Sequence, residues 1–196
     1  MARRKNGLDF TRRRERQRIN VPLIREIVVF AVEIGIAVLL GFVLVYFLGL
    51  RTTVIGRSME PVLYASDEIL IDRFRYHISE PKRDDVIVFL PNGNEKSHYY
   101  AKRVVGVPGD TLTIENGVLY INGESYDGNA DFPYISDPGL CAESVRLGTD
   151  EYFVMGDNVG ESEDSRYANI GNVSRDYIIG RAWYVSKSDH RKGFVR

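Results

Sequence analysis

The chain has 196 residues, of which 44% are hydrophobic and 27% are charged, and its formal net charge is −1. This length accommodates a membrane anchor and one domain of ordinary size. The single cysteine, Cys141, excludes an internal disulfide, and neither it nor the three scattered histidines has metal-ligand spacing, so we expect no metal site and no cofactor.

The N-terminal end of the chain is strongly basic. Residues 1–25 contain nine Lys/Arg and two acidic residues, a net charge of +7, so the remainder carries −8. Residues 27–50 then form an apolar run with one charge, Glu33. As a helix this run spans about 36 Å at ~1.5 Å per residue, enough to cross a hydrocarbon core of ~30 Å.

This pattern predicts three regions. They are a basic cytoplasmic tail at 1–26, a transmembrane helix at 27–50 and an extracytoplasmic domain at 51–196, because a basic flank stays in the cytoplasm. The alternatives are a cleavable signal peptide and a buried core helix. A signal peptide has a shorter apolar region and a small-x-small exit, and a buried helix does not usually follow a cluster of arginines. Glu33 has two interpretations. It is either a functional residue, or a carboxyl without a function that is protonated or extends to the membrane–water interface.

Short β-rich runs recur beyond residue 51. They lie at 68–71, 86–89, 111–114, 118–121, 152–155 and 178–179, separated by turn residues. Asn116-Gly117 between two apolar runs predicts a β-hairpin. We therefore predict a mainly β fold class, an N-terminal transmembrane helix followed by an antiparallel β-sheet domain. Residues 123–149 are rich in Gly, Pro, Asp and Ser, which predicts a long surface excursion outside the core.

Three segments of this domain hold residues suited to catalysis. Ser58 lies in a segment with Gly56 before it and Pro61 after it, and Lys102 lies in a strand-like segment beside apolar residues. A polar loop follows at 156–166. No His–Asp pair is placed as in a conventional triad, and a buried neutral lysine can take the proton of a serine hydroxyl.

Each segment alone is a weak signal, but in this order after an anchor they resemble the bacterial type I signal peptidases, from the anchor to about Trp183. The most specific parts are the run from Lys102 to Asp110 and the Gly-Asp-Asn…Ser-x-Asp-Ser-Arg run at 156–166. The chain has lysine at position 102, where the endoplasmic-reticulum branch of the family has histidine, so it resembles the prokaryotic branch of the family. Ser66 and Asp84 depart from the family, which often has glycine at both positions.

The resemblance implies roles for particular residues. Ser58 matches the nucleophile and Lys102 the general base, while Ser162 matches the residue that orients the lysine. The positions that match oxyanion and framework support are Gly56, Ser162, Asp164 and Arg166. We expect the walls of the substrate pocket to be Ile55, Met59, Leu63, Tyr100 and Ala101.

The activity that this resemblance implies is that of a membrane-anchored serine endopeptidase. It would remove signal peptides at the outer face of the cytoplasmic membrane, cutting after a small-x-small pattern, with one membrane pass and a cytoplasmic N-terminus. The implied partners are signal-peptide-bearing pre-proteins, membrane lipid and the nearby secretion translocon, with no nucleic acid. Two alternatives remain: a self-cleaving repressor or related Ser–Lys peptidase, and a non-enzymatic membrane-tethered β domain.

Overall fold

The computed structural model of the protein describes residues 21–190 and 192–195, and its first element is the apolar helix α1, Val21–Leu48. The helix begins before the predicted anchor and ends at Leu48, because Leu50 already belongs to the first strand. Its 28 residues measure about 42 Å at ~1.5 Å per residue. The apolar side chains of residues 21–46 are exposed and their mean hydropathy reaches 2.8, so the helix is long and apolar enough to cross a membrane. The alternative of a buried core helix is wrong.

The predicted basic tail lies outside the described residues as far as residue 20, and residues 21–26 belong to α1. The chain divides after Gly41 into two compact units. Within the described residues of the second unit there are twelve strands: β1 Leu50–Thr53, β2 Glu68–Asp72, β3 Val86–Phe89, β4 Tyr100–Gly106, β5 Thr111–Glu115, β6 Val118–Ile121, β7 Glu124–Ser125, β8 Val145–Arg146, β9 Glu151–Met155, β10 Val173–Ser174, β11 Ile178–Lys187 and β12 Gly193–Phe194. A one-turn helix, α2 Arg75–Ile78, follows β2.

All the strand pairs are antiparallel, which confirms the predicted fold class. The larger sheet has the order β1-β2-β11-β3-β4-β9-β10, with β12 beside β11, and the smaller sheet has the order β7-β6-β5-β8. The six predicted strand segments all lie within these strands. Asn116 and Gly117 both have positive φ and connect β5 to β6, as the hairpin prediction requires.

Side chains of β3, and those of Tyr100 and Ala101 in β4, alternate between two clusters of buried residues, because successive strand residues point to opposite faces. One cluster, here called the floor cluster, includes Val54, Met59, Leu63, Ile69, Val86 and Val88, with Ala101 packed against it. The other, here called the far cluster, includes Tyr76, Ile87, Phe89, Val104 and Tyr152, with Tyr100 packed against it. Ala101 and Tyr100, neighbours in β4, therefore face opposite sides of the sheet.

The expectation that residues 123–149 lie outside the core is wrong. Ile135, Cys141 and Leu147 from this segment are buried against the smaller sheet, at 2%, 0% and 3% exposure. The segment does run mostly over the surface, but single apolar residues in it cover the sheet face that β5 and β6 would otherwise leave exposed. Their wide spacing among Gly, Pro and Asp gives no periodic signal.

Candidate active site

Ser58 lies in a turn between β1 and β2, and buried residues of this turn pack into the floor cluster. Its neighbour Met59 and Leu63 are buried in the floor cluster, at 1% and 0% exposure, and the amide of Leu63 donates to the carbonyl of Met59 at 2.8 Å. Gly56, two residues before Ser58, has φ of 80°, a left-handed conformation that favours glycine. The turn thus holds a half-buried serine over the buried side chains of Met59 and Leu63.

Lys102 reaches Ser58 from β4, where it pairs with Ile87 of β3. Its Nζ lies 2.6 Å from Ser58 Oγ, within hydrogen-bond distance, and the residue is 4% exposed. Burial lowers the pKa of the Lys102 amine to about 8, although the carboxylates of Asp164 and Glu163 act in the opposite direction. A neutral amine next to a serine hydroxyl can accept its proton.

The loop after β9 closes against the serine turn. The backbone amide of Asn158 donates to the Ser58 carbonyl at 3.0 Å, and its side-chain amide donates to the Arg57 carbonyl at 3.2 Å. A Cβ added at Gly156 would lie 2.4 Å from the Ser58 carbonyl oxygen and 2.3 Å from Ser162 Oγ. Only glycine therefore lets the loop after β9 approach the serine turn this closely.

Asp164 and Arg166 form a buried ion pair near Ser58 and Lys102, the two residues called the dyad from here on. Arg166 Nε donates to Asp164 Oδ1 at 2.9 Å and Nη2 donates to Oδ2 at 3.0 Å, with both residues at most 2% exposed. Oδ2 also accepts from Ser162 Oγ at 2.6 Å and from the amide of Gly156 at 3.1 Å. One carboxylate thus connects the polar loop to Gly156, the residue that follows β9.

A second buried ion pair was not predicted from the sequence. Arg103, fully buried, donates from Nε and Nη2 to the two carboxylate oxygens of Asp157, each at 2.7 Å, and from Nη1 to the carbonyl of Asp84 at 2.9 Å. Asp84 has φ of 72°, as does Ser66. The two departures from the family's glycines therefore stand at left-handed backbone positions.

A cleft of about 280 Å³ opens beside the dyad. Ile55, Tyr100 and Ala101 line it, as expected from the sequence, together with Gly56 and Lys102. Met59 and Leu63 do not line it but lie in the floor cluster beneath, because the turn uses them as its anchors. The lining residues that the sequence did not indicate are Thr52, Thr53, Val54, Ile69, Val88, His98, Tyr99 and Glu163.

A serine in contact with a buried lysine that lines a cleft, in an antiparallel β domain that follows an apolar helix, fits a membrane-anchored serine hydrolase. A family model described as signal peptidase, peptidase S26, matches residues 26–186. The chain belongs to that family, and its enzymatic activity is that of a signal peptidase I.

Two named sequence relatives agree with this assignment. The chain is 35% identical over 152 residues to signal peptidase I P of Bacillus subtilis subsp. natto, covering 74% of this chain and 80% of the relative. It is 34% identical over 163 residues to signal peptidase I T of Bacillus subtilis strain 168, and this match covers 78% of this chain and 81% of that relative. A crystal structure of a signal peptidase I from Enterococcus faecalis V583 is 30% identical, with a TM-score of 0.42, and covers 53% of this chain and 97% of that one. The family favours an enzyme over a non-catalytic β domain or a self-cleaving repressor.

Proposed function

We propose that this signal peptidase cleaves pre-proteins with Ser58 as the nucleophile and Lys102 as the general base. The observation that carries the proposal is the 2.6 Å contact between Lys102 Nζ and Ser58 Oγ. Lys102 takes the hydroxyl proton as Ser58 Oγ attacks the scissile carbonyl, and an acyl-enzyme forms as the peptide bond breaks. The protonated lysine gives this proton to the leaving amine as the bond breaks. It then takes a proton from the water that attacks the acyl-enzyme and returns it to Ser58 Oγ.

The negative oxygen of the tetrahedral intermediate needs donors close to Ser58 Oγ. Among the residues that the structure describes, the backbone amides of Ser58 and Gly56 donate no hydrogen bond. Both lie in the serine turn at the cleft, so both are available to the oxyanion. Asp164 with Arg166, and Ser162 hydrogen-bonded to Asp164, fix the loop that packs against this turn.

The substrate binds as an extended strand along β4. Tyr100–Lys102 pair with β3 on one side, whereas β9 pairs with β4 only from Arg103 onward. The other edge of residues 100–102 is thus open to the cleft, and an extended peptide there gains main-chain hydrogen bonds. The apolar floor beneath it admits small side chains, which fits cleavage after alanine or glycine with a second small residue two positions upstream.

The anchor and the basic N-terminal region give the orientation. An apolar helix with nine Lys/Arg in residues 1–25 keeps that end in the cytoplasm and places the β domain at the outer face of the membrane. There it meets pre-proteins as they leave the secretion translocon. Confinement of enzyme and substrate to one membrane raises their effective concentration.

Replacement of the dyad tests this proposal. Ser58→Ala, Lys102→Ala and Lys102→Arg should each abolish cleavage of a pre-protein by the detergent-solubilised protein, the last because arginine remains charged. Lys82→Ala and Ser125→Ala, exposed positions that do not line the cleft, are the matched controls and should retain activity. Substantial cleavage by any of the three dyad variants would contradict the proposed chemistry.

A further inference from the structure

Glu163 places an acidic side chain at the cleft. It lines the cleft together with Tyr100, Ala101 and Lys102 and is exposed to solvent. Its Oε2 accepts from the Tyr100 hydroxyl at 3.4 Å, and its Oε1 accepts from the side-chain amide of Asn169. Within the part of the chain that the structure describes, Glu163 forms no ion pair. The two neutral neighbours therefore orient a carboxylate that no described cation contacts.

Three basic side chains near the cleft have partners of their own. Arg166 is paired with Asp164 and Arg57 with Glu60. The Lys102 amine contacts Ser58 and forms no ion pair with Glu163, although the charge of Glu163 raises its pKa without direct contact. The charge of Glu163 is thus available to a ligand in the cleft.

The cleft has two chemically different sides, which follow from the alternation along β4. Ala101 faces the floor cluster, and Ile69 and Val88 of that cluster also line the cleft. Tyr100 faces the other way, toward the far cluster, and its hydroxyl contacts Glu163. One side is therefore apolar, while the other ends in a carboxylate.

An extended peptide at the edge of β4 continues this alternation, since its successive side chains point to opposite faces of the sheet. In the proposed small-x-small pattern the two small residues are two positions apart and face the apolar side together. The residue between them then faces Tyr100 and Glu163.

We propose that Glu163 selects a basic side chain at this middle position of the substrate, between the two small residues that precede the cut. The inference rests on the proposed function. A lysine or arginine there brings its cation to the Glu163 carboxylate and extends its aliphatic stem along the Tyr100 ring. An acidic residue at the same position meets a like charge.

Three peptides that differ only at the middle position, with lysine, alanine or glutamate, test this inference on the detergent-solubilised full chain. We expect kcat/KM to fall in the order Lys, Ala, Glu by about threefold per step, typical of a partly exposed ion pair. The total range is then about tenfold, and it should shrink in ~1 M NaCl.

Glu163→Gln keeps the shape of the side chain and removes its charge, so the three peptides should become equivalent. Glu163→Lys should reverse the order. Glu161→Gln, the same substitution in the same loop but outside the cleft lining, is the matched control and should keep the wild-type order. Because Glu163 also raises the pKa of Lys102, the readout is the ratio between peptides, in which a common change in base strength cancels.

Wild-type cleavage of all three peptides at the same bond with equal kcat/KM would overturn the inference, as would a charge preference that survives Glu163→Gln. Failure of the proposed function gives a different result. In that case the alanine peptide is not cut by the wild-type protein, or is cut at another bond.

Discussion

Raising the pH from about 6 to about 9 should convert Lys102 from ammonium to amine, and we expect kcat/KM to rise with the amine fraction. Burial lowers the pKa of Lys102 from 10.5 to about 8. The neutral fraction is then roughly 1% at pH ~6 and about half at pH ~8, so kcat/KM should increase about fiftyfold over this interval and level off above pH ~9. The assay uses a peptide with blocked termini and no ionisable side chain.

The same shift in pKa affects the stability of the fold. Because the folded-state pKa is lower than the unfolded one, the unfolded chain binds more protons between pH ~8 and ~10.5, and stability rises across this window. Below pH ~8 the buried ammonium costs up to about 3 kcal/mol. Lys102→Met, which removes the charge, should therefore stabilise the protein near pH 7 and lose this advantage near pH 10.5.

Unfolding followed by the fluorescence of Trp183, the only tryptophan in the chain, measures this difference. An activity profile with its midpoint near pH 10, or with no pH dependence, would refute the reasoning that burial prepares the base. So would a stability difference between Lys102→Met and the wild type that is the same at both pH values.

Two further predictions follow from the packing around the site. Gly156→Ala should reduce kcat/KM by at least ~100-fold, since a Cβ there collides with the Ser58 carbonyl and Ser162, whereas Gly160→Ala, with open space around it, should be nearly neutral in the same peptide assay. Removal of residues 1–48, which retains Leu50 in β1, should leave peptide cleavage intact but slow the processing of pre-proteins in vesicles; equal rates on vesicles would contradict a role for the anchor in bringing enzyme and substrate together.

Local signals in the sequence predicted much of the fold. The apolar run has the length of a membrane-spanning helix, and Asn116-Gly117 specifies a tight hairpin through its backbone conformation. The burial of a side chain by residues that are distant in the sequence leaves no pattern in the neighbouring sequence from which it could be predicted. Leu50 reads as the end of the apolar run but begins β1, and Ile135 and Leu147 appear as isolated apolar residues in a polar segment.

In the candidate active site, too, the contacts that depend on tertiary packing could not be predicted from the local sequence. Ser58 and Lys102 are 44 positions apart, so only the resemblance to a family, and not spacing, predicts that they meet. Arg103 beside Lys102 suggests a solvated surface, but the structure buries it against Asp157. Glu163 is one of several acids in a polar loop, and its position in the cleft depends on how that loop packs against β4.

The most direct measurement of the central claim is the mass of the products from a pre-protein incubated with the detergent-solubilised enzyme. We predict a single cut after alanine or glycine, with a second small residue two positions upstream. Replacing the residue at the cut by phenylalanine should reduce turnover by about two orders of magnitude or more, because a shallow pocket excludes the larger side chain. Cleavage at another bond, or equal cleavage of both substrates, would contradict the account.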